Sequence, residues 1–213
     1  MEQNIRALDV ISVFFSMAAF LVGFAYRKRL PAYCIPVLVL VALAFLVDFS
    51  CLIMAYSGIS VNEIVYIYTV VEFILLSLFY KQFFKSARFS IILYFLIVAL
   101  FITGIFDFYK NSLNNVKNHM NTIEAVCLIA FSFSLFLYVM KNHVTDHLAS
   151  ETFFWINCAV LLYFAGNLVF FLLIKILSLK QIALMWEFLH NSLSILYNIL
   201  LILGFWKTRT LRT

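Results

Sequence analysis

Few side chains in this chain could do chemistry, and most of them lie inside long apolar runs. Glu187, Asn191, Ser194 and Asn198 are spaced by four, three and four. On a helix that spacing lines them up as one polar stripe, flanked by His190 and Tyr197. Asp48, Glu72 and Glu124 are carboxyls in three further apolar runs, and Asn157 and Asn167 are amides in a fourth. A charge near the centre of a bilayer costs about 2.5–3.5 kcal/mol on insertion scales. No Lys or Arg lies deep in any run to offset these acids. They are therefore expected to hold protons or to bind a cation. The pair Glu187-x-x-His190 also has the spacing that di-metal carboxylate bundles use. Glu187 and His190 are thus weak metal candidates, needing Glu72 or Glu124 to complete a ligand set. His143 and His147 are four apart, and a solvated loop face accounts for them.

The elements that must carry these residues follow from composition. Of 213 residues, 65% are hydrophobic and 12% charged, against about 25% charged in soluble domains. A water-soluble surface this apolar would aggregate, whereas lipid solvates it. The 25 Phe and 11 Tyr suit a membrane protein with aromatic belts. A spanning helix needs about 20 mostly apolar residues. Seven such runs are predicted, at 8–26, 35–57, 62–80, 89–109, 119–140, 152–175 and 182–206. Strict alternation is absent, which disfavours a membrane barrel. Pro31 and Pro36 fall before and at the entry to helix 2, where a missing N–H costs little. A tight turn is expected around Gly58 and Asn62. The whole chain, 1–213, reads as one all-α transmembrane domain. Arg6 and Asp9 precede the first run and its basic cluster follows it, so a cleaved signal peptide is not expected. Cys34, Cys51, Cys127 and Cys158 show no Cys-x-x-Cys spacing and read as small buried hydrophobes.

Orientation follows from Lys and Arg. Ten of the 15 fall on one side, after helices 1, 3, 5 and 7, and five on the other. The richer side is expected in the cytoplasm, with the N-terminus out and the C-terminus in, across the inner (cytoplasmic) membrane. The net charge of +5 sits in these short connections. It reports orientation, with the lipid bilayer as partner, and no nucleic-acid binding. This topology places Asp48, Glu72, Asn167, Glu187, His190 and Asn191 at the midplane or in the outer half, with Glu124 nearer the outer surface. A single outward-facing polar pocket is expected. Val71-Glu72-Phe73 echoes Trp186-Glu187-Phe188, and Asp48 precedes Glu72 much as Asn167 precedes Glu187. A 3+1+3 internal repeat, helix 4 linking two triplets, follows from that echo. Small sugar transporters of the SWEET type use such parallel repeats, but their Pro-Gln signature is missing, since the chain's two prolines are Pro31 and Pro36. Residues 181–206 contain no lysine for a retinal Schiff base. Seven-helix zinc hydrolases need several intramembrane histidines, and only His190 lies deep in a run.

The segments Phe154-Trp155-Ile156-Asn157, Tyr163-Phe164-Ala165-Gly166-Asn167, His190-Asn191, Tyr197-Asn198-Ile199-Leu200-Leu201 and Gly204-Phe205-Trp206 resemble a group of small seven-helix bacterial membrane proteins associated with sensor histidine kinases. Glu72-Phe73 carries a weaker echo. The resemblance covers mainly helices 6 and 7. It implies seven helices and an accessory sensing role beside a signalling partner such as a sensor kinase, and it brings no catalytic residues. The expected function is therefore non-enzymatic. It is a sensor or accessory protein binding a small or amphipathic ligand, or a proton, in the pocket of Asp48, Glu72, Glu124, Asn167, Glu187, His190 and Asn191. A small proton-coupled or cation transporter is the alternative, and a metal-dependent membrane enzyme stands third. No cofactor is expected.

Overall fold

A computed structural model describes residues 2–59, 61–110, 119–142, 148–173 and 179–208; the side chains of 2–6, 62–63, 107–110, 173, 179–184 and 186–187 lie outside that description. Seven α-helices order the described residues: α1 (Glu2–Tyr26), α2 (Ile35–Tyr56), α3 (Asn62–Lys81), α4 (Ala87–Lys110), α5 (His119–Asn142), α6 (Thr152–Leu173) and α7 (Leu179–Lys207). Each is long and apolar enough to cross a membrane. The expected spans are therefore present, with ends displaced where polar flanks continue the helix. α1 starts six residues before its apolar run and α7 three, because helical hydrogen bonding outlasts the hydropathy that marks a span.

The helix ends have local causes. Pro31 caps a short 3-10 turn, Ala32–Cys34, and Pro36 occupies the first turn of α2. α2 ends in a Schellman motif. Gly58 takes φ +71°, its N–H donates to Ala55 O, and the Ile59 N–H donates to Met54 O. That left-handed geometry favours glycine. Ser86 caps α4 by accepting the Phe89 N–H at 3.1 Å.

The helices pack as a ring in which each contacts the next and α7 closes onto α1. α3 also touches α5, which leaves α4 on the outside. Its exposed face, with Ile91, Phe95, Val98 and Ile102, has the spacing of one lipid-facing stripe. α2 turns Leu46, Phe49 and Ile53 outward in the same way.

The seam between α1 and α7 has a fixed register. Ser12 Oγ donates to Ser194 Oγ at 3.0 Å, and Asn191 Nδ2 donates to Asp9 Oδ1 at 2.5 Å. A Cβ at Gly23 would meet the Phe205 ring at 3.0 Å. All three pairs are 182 residues apart, so the two helices run parallel. On α1 the contacts at Asp9, Ser12 and Gly23, with the buried Ser16 and Ala19 between them, follow the three–four repeat of a left-handed pair. Small residues there allow close approach, as in membrane helix pairs generally. α6 meets α7 similarly, with Gly166 against Leu193.

A large aromatic core fills the end where α3 and α5 finish. Phe73, Phe79 and Tyr80 are fully buried, packed with Phe131 and, through Tyr33 and Phe83, with Phe153. The Tyr80 hydroxyl donates to Asn157 Oδ1 at 2.9 Å, Asn157 Nδ2 donates to Ser132 O, and Ser132 Oγ donates to Asn157 O. This network ties α3, α5 and α6 together, so Asn157 serves packing.

Candidate functional site

The polar side chains gather in the half of the bundle where α1, α3, α5 and α7 begin and α2 and α6 end. Two layers make up the site. The first is the α1–α7 seam, with Asp9 bonded to Asn191 and Ser12 to Ser194. Ser16, fully buried one turn further in, lies beside Asp48 of α2.

The second layer lies deeper in the interior. Glu72 is buried on α3 and accepts the Tyr68 hydroxyl at 3.4 Å. Asp48 lies within electrostatic reach of Glu72, and Glu72 within reach of Glu124, which is 4% exposed on α5. Glu124 Oε1 has no hydrogen-bond partner among the described residues. Tyrosines surround the acids. The Tyr163 ring lies 5.1 Å from that of Tyr197 and 6.0 Å from that of His190. Both Tyr163 and Tyr197 lie within electrostatic reach of Glu72 and Glu124. The Tyr197 hydroxyl and Asn167 Oδ1 are buried and unpartnered among the described residues.

The sequence-predicted residues therefore divide. Asp48 lies within electrostatic reach of Glu72 and Glu72 of Glu124, while His190 packs against the ring of Tyr163. Asn191 is buried, and its amide donates to Asp9 on α1. Asn167 and Asn198 turn their amides onto their own helices, donating to Tyr163 O and Ser194 O. The Glu187 side chain, and His143 and His147, lie outside the described residues. Among the described residues no three His, Cys, Asp or Glu side chains group closely enough to hold a metal ion. The four cysteines are free thiols and only Cys34 is buried.

Sequence reasoning missed Asp9, Ser12 and Ser16, and also Tyr68 and Tyr163. The α1 residues carried a readable signal, a three–four spacing matching that of Asn191, Ser194 and Asn198. Tyr68 and Tyr163 carried none, because an aromatic in a membrane span is ordinary.

Acids without basic partners in a low-dielectric interior cannot all bear charge. Neutralisation by a proton or by a cation is the chemistry this arrangement offers. The seven helices among the described residues, each long and apolar enough to cross a membrane, support a multi-pass, seven-helix membrane protein. Comparison with known protein families, with characterised proteins and with solved structures returns no match.

Proposed function

We propose that this chain is a sensor or accessory protein of the inner membrane, and that its ligand at Asp48, Glu72 and Glu124 is a proton. The observation that carries this reading is the electrostatic proximity of carboxyls from α2, α3 and α5, Asp48 to Glu72 and Glu72 to Glu124, with Tyr68, Tyr163 and Tyr197 beside them. Glu72 and Glu124 are buried and Glu72 already accepts the Tyr68 hydroxyl, which suits a proton better than a bulky amphipathic ligand. Proton occupancy would alter the helix contacts that these acids make, and so convert pH into bundle geometry. The resemblance in helices 6 and 7 adds a signalling partner such as a sensor kinase, expected at the basic cytoplasmic end.

Infrared difference spectra of the reconstituted protein, taken from mildly acidic to mildly alkaline pH, test the site. Protonated-carboxyl bands should titrate, and Glu72→Gln and Glu124→Gln should each remove part of that signal. Unchanged bands in both variants would overturn the assignment.

A proton-coupled carrier is the second reading, favoured by the polar α1–α7 seam leading from Asp9 towards Asp48. Proton-driven uptake in proteoliposomes that is lost in Glu72→Gln would move the function to this class. The order of neighbours, α1–α2–α3–α5–α6–α7 and back to α1, supports the 3+1+3 repeat, because a two-fold pairing α1 with α5, α2 with α6 and α3 with α7 preserves it.

A further inference from the structure

At the opposite end of the bundle from the acids, a groove of about 500 Å³ opens where α3 ends, α4 begins and α5 finishes. Phe83, Phe84 and Tyr138 form its apolar wall, and Gln82, Lys85 and Ser86 its polar rim. The rim residues are exposed, and so is Arg88, three residues beyond Lys85. Lys81 lies over the Tyr94 ring of α4 at 5.4 Å, and Lys141 ends α5. No Asp or Glu occurs between Glu72 and Asp107, so the charges of this stretch, Lys81, Lys85 and Arg88, are all basic.

We infer that this groove binds an anionic phospholipid. Its position is the polar boundary of a helix bundle, next to the lipid-facing stripe of α4. A phosphate at the rim meets Lys85 and Arg88, with Gln82 and Ser86 able to donate. Cationic side chains at the membrane surface attract anionic lipid in this way, and Arg adds bidentate recognition of phosphate. One acyl chain lies against Phe84 and Tyr138, whose rings pack edge-on at 5.9 Å, and continues along α4. A free phosphate would use the rim alone and leave the aromatic wall uncovered. The inference stands independently of the proton site.

Native mass spectrometry of the full chain, titrated with phosphatidylglycerol or phosphatidylcholine in mild detergent, tests it. Phosphatidylglycerol should be retained preferentially. Affinity should fall roughly fivefold for each charge removed in Lys85→Gln and Arg88→Gln, while Lys85→Arg retains it. Arg27→Gln with Lys28→Gln, at the end of α1, serves as control and should leave binding intact. Equal retention of the two lipids would overturn the inference. So would equal losses in test and control variants, or complete displacement by soluble glycerophosphate.

Discussion

A carboxylate near the start of α1 needs a donor, and Asn191 supplies it from α7. Asn191→Leu keeps the volume and removes the amide, leaving Asp9 without that partner. Interhelical hydrogen bonds in membranes average about 0.6 kcal/mol and reach about 1.7. A loss in that range is expected for Asn191→Leu in reversible unfolding from bilayers, with Asp9→Asn losing less because an amide still accepts. Equal stability of Asn191→Leu and wild type would show that the bond contributes nothing. Tyr80→Phe tests the buried clamp, since Asn157 Oδ1 loses its donor; a loss of about 1 kcal/mol is expected in the same assay. At this scale the sequence was informative about which residues must be inward and silent about whom they meet. Asn191 is one position on a legible stripe, but hydropathy does not order helices around a ring. Glu72 was readable because an acid in a span is costly, whereas Asp9 looked like the polar flank of its run.

For the elements, close packing sets the limits. A Cβ at Gly166 would sit 2.6 Å from the Leu193 methyl carbons. Gly166→Ala should therefore destabilise the α6–α7 pair by about 1–3 kcal/mol, the usual cost of overpacking. Adding Leu193→Ala frees the space and should recover part of the loss. A double variant as unstable as the sum of its singles would refute the steric account. The helices themselves were legible, since a run of about 20 apolar residues has few alternatives in lipid. Their ends were less so. α4 and α7 extend beyond their apolar runs into Lys110 and Lys207, where backbone hydrogen bonding decides the boundary. The three–four spacing of the small face of α1 was present in the sequence, but Ser12, Ser16, Ala19 and Gly23 are inconspicuous in an apolar segment, and the spacing takes on meaning only beside a parallel partner.

The whole molecule is a closed ring of helices with one, α4, outside it. Cysteines at Ser12 and Ser194, whose hydroxyl oxygens lie 3.0 Å apart, should form a disulfide under mild oxidation and resist maleimide until reduced. Free labelling of both under oxidising conditions would mean that the ring is open at that seam. Orientation can be read separately. With the N-terminus out, Ser57→Cys is expected to label in intact cells and Lys141→Cys only after permeabilisation. The reverse pattern would invert the topology and move the acids to the cytoplasmic half.

Closure of the ring by α1 and α7 also sets a schedule for biogenesis. α1 enters the bilayer well before α7, which carries Asn191 and Ser194, the partners of Asp9 and Ser12. During synthesis the polar face of α1 must be sheltered by water, by the insertion machinery or by α2, whose Asp48 already lies beside Ser16. α3, α5 and α6 can lock through Tyr80, Ser132 and Asn157 before α7 arrives. The nascent chain thus holds a half-built core and an open seam. Anything that delays α7 prolongs the interval in which α1 is exposed to quality-control proteases.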